Sequence, residues 1–404
     1  MSASAADAVQ TALRNRARGA VGRFYAARAY RPIWAANGRI GPAADTLIGY
    51  LASADLDGLK PSSYGADKLR RFVAQSRTGD AAAIAAAEVA LSEAFANYVR
   101  DQRRPGGERM TFADPTLKPK RLRAEQVLRA AAFPKSFETY VADMGWMSEH
   151  YVRLRRVSER AEVQQGDARA TARLARNLDR ARLLPSPQAR HIVVDASSGQ
   201  LWFYEAGRQV GTMRVVVGAR ETQTPMLAGK LQWAILNPYW NVPTYLARNS
   251  IAPKVLAGRS LTAQRLELLS DWSPSARKLP ASAVDWQAVA SGGQEVRIRE
   301  LPGAGNSMGR VKFLFPNDEG IYLHDTPDRD LLRRADRHLS NGCIRLENAA
   351  LLGRWLLGRS ITAAGRAPEQ AVPLPVQVPV YLTYLTADAR TRNLIFREDV
   401  YDRD

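Results

Sequence analysis

The chain has 404 residues, with 58 Lys plus Arg against 40 Asp plus Glu, a formal charge of +18. Its 46% hydrophobic and 24% charged residues exclude a disordered chain, and the length points to two or three domains. A single cysteine, Cys343, and four histidines, at 150, 191, 324 and 338, exclude an internal disulfide framework and any cysteine-cluster metal site.

The opening MSASAADAVQ has neither the basic n-region nor the apolar h-region of a secretory signal, which implies a cytoplasmic chain or a mature form with a replacement Met. Residues 1 to about 185 are rich in Ala, Arg and Leu at helical spacing and are predicted mainly helical. Ala81–Arg100 reads as one helix; Glu88 and Glu93 interrupt its apolar stretch, short of the ~18 residues a membrane span requires. Ala168–Leu184 reads as another, with Leu174, Leu178 and Ala181 on one face. Arginines are scattered through these stretches instead of forming blocks, and no nucleic-acid motif accompanies them, so nucleic acid is not the expected partner.

At His191 the pattern changes to alternation, with Ser198-Gly199 and Ala206-Gly207 placed as turns between β-rich runs. Further strand-like runs follow at Leu231–Ile235, Val296–Glu300, Val311–Phe315, Ile321–His324, Val378–Thr386 and Asn393–Phe396, and a helix at Ala349–Leu357. Residues 244–290 carry few strand signals and are expected to be an inserted, partly helical element, a lid over a substrate groove. The fold class is therefore multidomain α+β: a helical scaffold over 1–185 and a β-rich domain over 186–404 carrying an inserted capping subdomain.

A nucleophilic cysteine needs a base for its proton, a way to fix that base, and donors aimed at the oxyanion formed on attack. In Ser340-Asn341-Gly342-Cys343-Ile344-Arg345 a glycine directly precedes the thiol, allowing a tight backbone approach. The Gly342 and Cys343 N–H groups are the expected oxyanion donors, and Arg345 supplies charge that favours the thiolate. Two histidines compete for the base. His324 ends the run Gly320-Ile-Tyr-Leu-His, 19 residues before the cysteine, while His338 lies five residues before it and would need the loop to fold back. By strand alternation Tyr322 shares a face with His324, where it lines a groove, assists the oxyanion or simply packs.

The segments Ile321-Tyr-Leu-His-Asp-Thr-Pro327 and Ser340-Asn-Gly-Cys-Ile-Arg345 together resemble the signature of the YkuD-type L,D-transpeptidases. The likeness continues through Pro302–Asn317, Asn237-Pro-Tyr-Trp-Asn-Val-Pro243, Val215–Gly218 with Gln223-Thr-Pro225, and Asp399-Val-Tyr-Asp-Arg-Asp404, runs typical of the larger YcbB-like branch. Upstream, Phe24–Arg28, Pro32-Ile-Trp34, Asp57–Pro61 and Tyr64 resemble that branch's scaffold helices.

The resemblance implies Cys343 as the acylated nucleophile and His324 as its base, with Ser340, Gly342 and Arg345 supporting the loop. Tyr322, Trp240 and Asn241 become substrate-binding candidates, Gly303, Asn306 and Gly309 turn residues. Two departures stand out. Asn341 replaces a second histidine common in the family, and residues 100–185 lack the DGxxGxxT peptidoglycan-binding repeat. The implied activity joins diaminopimelate to diaminopimelate in 3–3 cross-links, through a Cys thioester with release of D-Ala. Its partners would be peptidoglycan tetrapeptide stems, as donor and acceptor, and carbapenem-type inhibitors. It needs no metal or organic cofactor, and its location would be the periplasm after signal-peptide removal. The competing readings are a hydrolase of the same fold, resolving the thioester with water, and a non-catalytic peptidoglycan-binding scaffold.

Overall fold

A computed structural model describes residues 3–159, 168–361, 367–389 and 394–404. In the first half the helices Ala81–Gln102 and Ala168–Arg182 appear where the apolar spacing places them. The Ala-rich helix is centrally buried, so its glutamate must be satisfied internally. Glu88 is 0% exposed and accepts from the Tyr25 hydroxyl (2.8 Å) and the Trp34 N–H (3.0 Å). Asp57, equally buried, takes Tyr98, Tyr151, Gln102 and Arg155. The half is not purely helical: Thr111–Phe112 adds a parallel strand to Leu227–Leu236.

The main sheet has ten strands, and eight of them close on themselves, because Val311–Leu314 pairs with both Leu323–His324 and Leu227–Leu236. The others in the ring are Ile344–Leu346, Arg208–Gly218, Gln200–Glu205, His191–Asp195 and Gln370–Thr383. Closure explains why His191–Asp195 is buried at every position. Ile192 and Val194 fill the ring with Leu201, Phe203, Leu323 and Ile344, while Val193, with Trp202 and Tyr204, packs outward on the scaffold helices. The turn at Ala206-Gly207 has φ of +52° and +85°, the left-handed pair a two-residue hairpin needs. The Ala349–Leu357 helix matches its expected bounds, capped by the Asn348 side chain on the Leu351 N–H. Of the 393–396 run, Ile395–Phe396 forms a strand; Asn393 lies outside the described residues.

The inserted element differs from its expected form. It is built on a four-stranded antiparallel sheet of Lys278–Leu279, Leu266–Leu269, Arg297–Glu300 and Trp240–Asn241, spanning 240–300 rather than 244–290. It has its own core of Val242, Ile251, Leu261, Leu268, Trp286 and Ile298. Arg297–Glu300 falls within the expected Val296–Glu300 run, whereas the other strands, of two to four residues, are too short to show alternation in the sequence.

His191 sits where the scaffold meets the ring, 1% exposed and stacked on Tyr204 with centroids 4.8 Å apart. Burial pushes its pKa down to about 4, partly offset by its Nδ1 contact with the Ala189 carbonyl (2.7 Å). Unfolded, the ring takes a proton near an ordinary pKa of about 6.5, so its burial is harmless above that pH and destabilises the fold as pH drops toward 4. Urea unfolding at pH 7 and 4.5 should therefore show His191→Gln losing roughly 2–3 kcal/mol less than the wild type between the two. Equal losses would reject this role.

Candidate active site

The site rests on one parallel pairing, Leu323 beside Ile344 and His324 beside Arg345. Leu323 and Ile344 are both 0% exposed inside the ring. Alternation turns their neighbours Tyr322, His324, Cys343 and Arg345 to the opposite face. The Ile344 N–H donates to the Tyr322 carbonyl (3.1 Å), setting Cys343 alongside Tyr322.

The loop before the cysteine is locked by the Ser340 hydroxyl, which accepts from the Gly342 N–H (3.2 Å) and donates to the Cys343 carbonyl (2.6 Å). Gly342 has φ +104°, a backbone only glycine adopts easily, and a Cβ there would meet Ile321 at 3.1 Å. This corrects the expectation of two oxyanion donors. The Gly342 N–H is engaged by Ser340, whereas the Cys343 N–H has no partner among the described residues and remains to serve an oxyanion.

His324 is 2% exposed, and its Nδ1 lies 2.6 Å from the Asp325 carbonyl. A carbonyl can only accept, so Nδ1 carries the hydrogen and Nε2 keeps the lone pair of a base. Asp325 is itself held, by its N–H on the Val311 carbonyl (2.9 Å) and by its carboxylate on the Arg310 N–H (3.0 Å) and Arg329 (2.8 Å). That clasp requires Gly309: a Cβ there would stand 2.5 Å from the Asp325 carboxylate. Gly303 (φ +138°) and the buried Asn306, whose amide donates to the Leu301 carbonyl (3.0 Å), shape the same turn.

Burial dominates the electrostatics. It pushes the His324 pKa down to about 3, and the cations Arg345 and Lys312 reinforce it. It raises the Cys343 thiol above its ordinary value, against the opposing effects of the Tyr322 N–H, the Tyr322 phenol and Arg345. Arg345 favours the thiolate as expected, but burial outweighs it. The resting pair is thus a thiol and a neutral imidazole. The thiol points to the Gly320 carbonyl (3.6 Å), and no hydrogen bond joins it to His324 among the described contacts. The Tyr322 and His324 rings are 5.9 Å apart. Burial also lowers the Arg345 pKa, with Asp328, Cys343 and Tyr245 pulling it back up.

Tyr245 escaped the sequence reading. It lies in the Thr244–Leu246 turn of the inserted subdomain, 39% exposed, within electrostatic reach of Arg345 and Cys343. The available signal was its position two residues after Pro243 in the Asn237–Pro243 run. Trp240 and Asn241 pair with Glu300 and Arg299 in the insert's own sheet. Trp240 packs on that core, Asn241 is exposed, and no hydrogen bond or ring contact joins either to Cys343, His324 or Tyr322. His338 holds Asp336 through Nδ1 (2.6 Å) and sets its ring edge-on to Tyr401 at 5.3 Å. Among the described residues there is no cluster of His, Cys, Asp and Glu able to hold a metal.

Residues 189–362 match the L,D-transpeptidase catalytic domain family, YkuD, and residues 19–157 match a scaffold domain family. Residues 189–362 are thus similar to the YkuD catalytic domain. A candidate L,D-transpeptidase of Haemophilus influenzae is 30% identical over 246 residues, 59% of this chain and 49% of that protein, so the chain spans about half of that relative's length. Among solved structures, an L,D-transpeptidase from Mycobacterium smegmatis is 13% identical with TM-score 0.23 over 48% of this chain and 58% of its own. An L,D-transpeptidase in complex with imipenem is 14% identical with TM-score 0.24 over 48% and 58%. Within this domain Cys343 is a buried thiol, protonated at rest. Its alkylation by iodoacetamide should therefore keep rising through pH 8.5 and beyond, with no thiolate absorbance at pH 7. A rate that levels off below pH 8 would overturn the electrostatic reading.

Proposed function

We propose that the chain is a cysteine L,D-transpeptidase of the YcbB-like branch, acting on peptidoglycan tetrapeptide stems in the periplasm. One observation carries the reading: Cys343, Tyr322, His324 and Arg345 share one face of a single strand pair, with the Cys343 N–H unpartnered among the described residues. Cys343 Sγ attacks the carbonyl joining the L-centre of diaminopimelate to D-Ala, and His324 Nε2 takes the thiol proton as the bond forms. The developing oxyanion meets the Cys343 N–H, with Tyr322 and Arg345 as further donors. The C–N bond breaks, D-Ala leaves with the proton from His324, and a thioester remains. A diaminopimelate amine of a second stem attacks it, His324 accepts that amine's proton, and the sulfur leaves to be reprotonated. The product is a 3–3 cross-link.

No step calls for a metal or organic cofactor. Carbapenems, whose strained carbonyl acylates a thiol, would act at the same sulfur. No helix among the described residues is long and apolar enough to cross a membrane. Residues 1–185 form the scaffold in this reading, and the inserted subdomain caps the groove.

Mass spectrometry after incubation with purified tetrapeptide stems should detect loss of D-Ala, an acyl adduct at Cys343 and dimeric stems. Cys343→Ala should abolish all three. Loss of D-Ala with tripeptide as the sole product, even with excess amine acceptor, would replace transpeptidase with hydrolase. His324→Ala should lower the acylation rate roughly 10²–10⁴-fold, and His338→Ala should change it little, since its ring is held by Asp336. The reverse order would remove His324 as the base.

The cap's contribution is concentrated at Tyr245. Tyr245→Ala should leave iodoacetamide alkylation of Cys343 within about twofold, and lower stem acylation roughly tenfold through weaker substrate positioning. Unchanged stem acylation in this variant would reject a role for the insert in orienting substrate.

A further inference from the structure

The segment Asp399–Asp404 lies far along the chain from the cysteine, yet its buried contacts converge beneath Cys343. Tyr401 is 3% exposed, stacked on Tyr384 with centroids 4.9 Å apart, and its backbone N–H donates to the Tyr384 hydroxyl (3.0 Å). Packing alone would be satisfied by phenylalanine. The hydroxyl does something else: it donates to the Gly218 carbonyl (2.6 Å) and accepts from the Thr224 N–H (3.3 Å). Both partners belong to the 218–224 turn. Arg403 grips the same turn from the side, on the Gln223 side-chain oxygen (2.7 Å) and the Thr224 carbonyl (3.2 Å).

That turn is the platform on which the cysteine loop lies. The Thr224 hydroxyl accepts from the Gly218 N–H (2.9 Å) and donates to the Gly342 carbonyl (2.8 Å). The Thr222 hydroxyl and the Ala219 N–H both donate to the Ser340 carbonyl (2.9 and 2.8 Å). Thr224 is 0% exposed, so its hydroxyl has no water to exchange with. The Gly342 carbonyl and the Cys343 N–H belong to one planar, trans peptide unit, in which the two groups point in opposite directions. Fixing the oxygen on Thr224 therefore aims the Cys343 N–H away from the platform, toward the open face.

The other end of the segment is tied to the scaffold. Arg180, 1% exposed on the Ala168–Arg182 helix, holds the Asp404 carboxylate (2.8 Å), the Arg403 carbonyl and Glu108 (2.9 Å). Arg173 on the same helix holds Asp404 as well.

We infer that Thr224 and Tyr401 are positioning residues for acyl transfer, and that residues 399–404 form a strut from the scaffold helix to the peptide unit that presents the oxyanion donor. The inference rests on Cys343 being the acylated nucleophile. The strut touches neither the sulfur nor His324, so it governs how well the oxyanion is met and leaves the thiol's own reactivity alone.

Two probes separate these. Acylation by a carbapenem passes through an oxyanion at a carbonyl; alkylation by iodoacetamide displaces iodide and forms none. In Tyr401→Phe the carbapenem acylation rate should fall roughly 10- to 100-fold, below the loss for deleting an oxyanion donor outright, while alkylation at pH 8.5 stays within about twofold. Thr224→Val should give the same split with a fall at least as large, and the double variant should be no worse than Thr224→Val alone, since the two act in series. Asp404→Asn tests the scaffold end and should give a fall in acylation alone of roughly threefold or more; it also decides the matter if Tyr401→Phe does not fold. Unchanged acylation in folded variants, or parallel loss of both reactions, would overturn the strut. A wild type that carbapenem fails to label at Cys343 would overturn the proposed nucleophile instead, before any variant is compared.

Discussion

The pairing of Leu323 with Ile344 fixes everything the site does. Both side chains are sealed in the ring, so the strands cannot slip by one residue without driving Tyr322, His324, Cys343 and Arg345 into an apolar core. Parallel strands need a long connection, and here it is the stretch between His324 and Ile344, which carries Asp325, the 331–333 turn and the strand His338–Ser340. The clasp that orients the imidazole and the hydroxyl that locks the loop thus lie within the one connection that the pairing demands. Placing base and nucleophile on adjacent strands requires it to leave beside one and return beside the other.

Burying such a site sets its resting charge. A desolvated thiol and a desolvated imidazole both favour their neutral forms, and the donors and Arg345 around Cys343 reduce that preference without reversing it. In the proposed mechanism proton transfer is then coupled to attack: a thiolate forms only as the carbonyl it attacks takes the negative charge onward to the Cys343 N–H. That makes the direction of one N–H as important as the identity of the base. The same proposal gives Arg345 a role distinct from thiolate formation, a guanidinium within electrostatic reach of Cys343, Tyr245 and Asp328 that would balance charge appearing only during turnover.

What the sequence revealed follows from what is local. The Ser340–Arg345 motif, the His324 strand, the Ala206-Gly207 turn and the Asn348-capped helix are set by neighbours within a few positions, and each is recognisable there. The match of residues 189–362 to the YkuD model extends that legibility over most of the ring. Ring closure through Val311–Leu314 was not legible, because pairing with Leu227–Leu236 and Leu323–His324 at once is a long-range choice. Neither was the insert's sheet, whose shortest strands have two residues. The Gly342 N–H was misjudged for a different reason: the motif places the Ser340 hydroxyl nearby without saying which N–H it takes. Tyr245 and Tyr401 bear on the site from 98 positions before and 58 positions after Cys343, distances at which spacing carries no information.

The chain packs around three separate cores, and polar groups lie where they adjoin. The ring core holds the strand pair, the insert carries Tyr245 within electrostatic reach of Cys343, and the scaffold core includes the Ala168–Arg182 helix. Apolar packing between such units would resist separation but leave small rotations inexpensive, because it has no direction. Buried charge-assisted hydrogen bonds are directional, and breaking one partner leaves the other unsatisfied in a low dielectric. The part-buried contacts of Arg180 with Asp404 and Glu108, and of Arg403 with Gln223 and Thr224, are directional in the same way and lie on the seam between scaffold and ring. If acyl transfer depends on the angle of one peptide unit, as inferred above, directional contacts where the supporting units join are what would hold that angle.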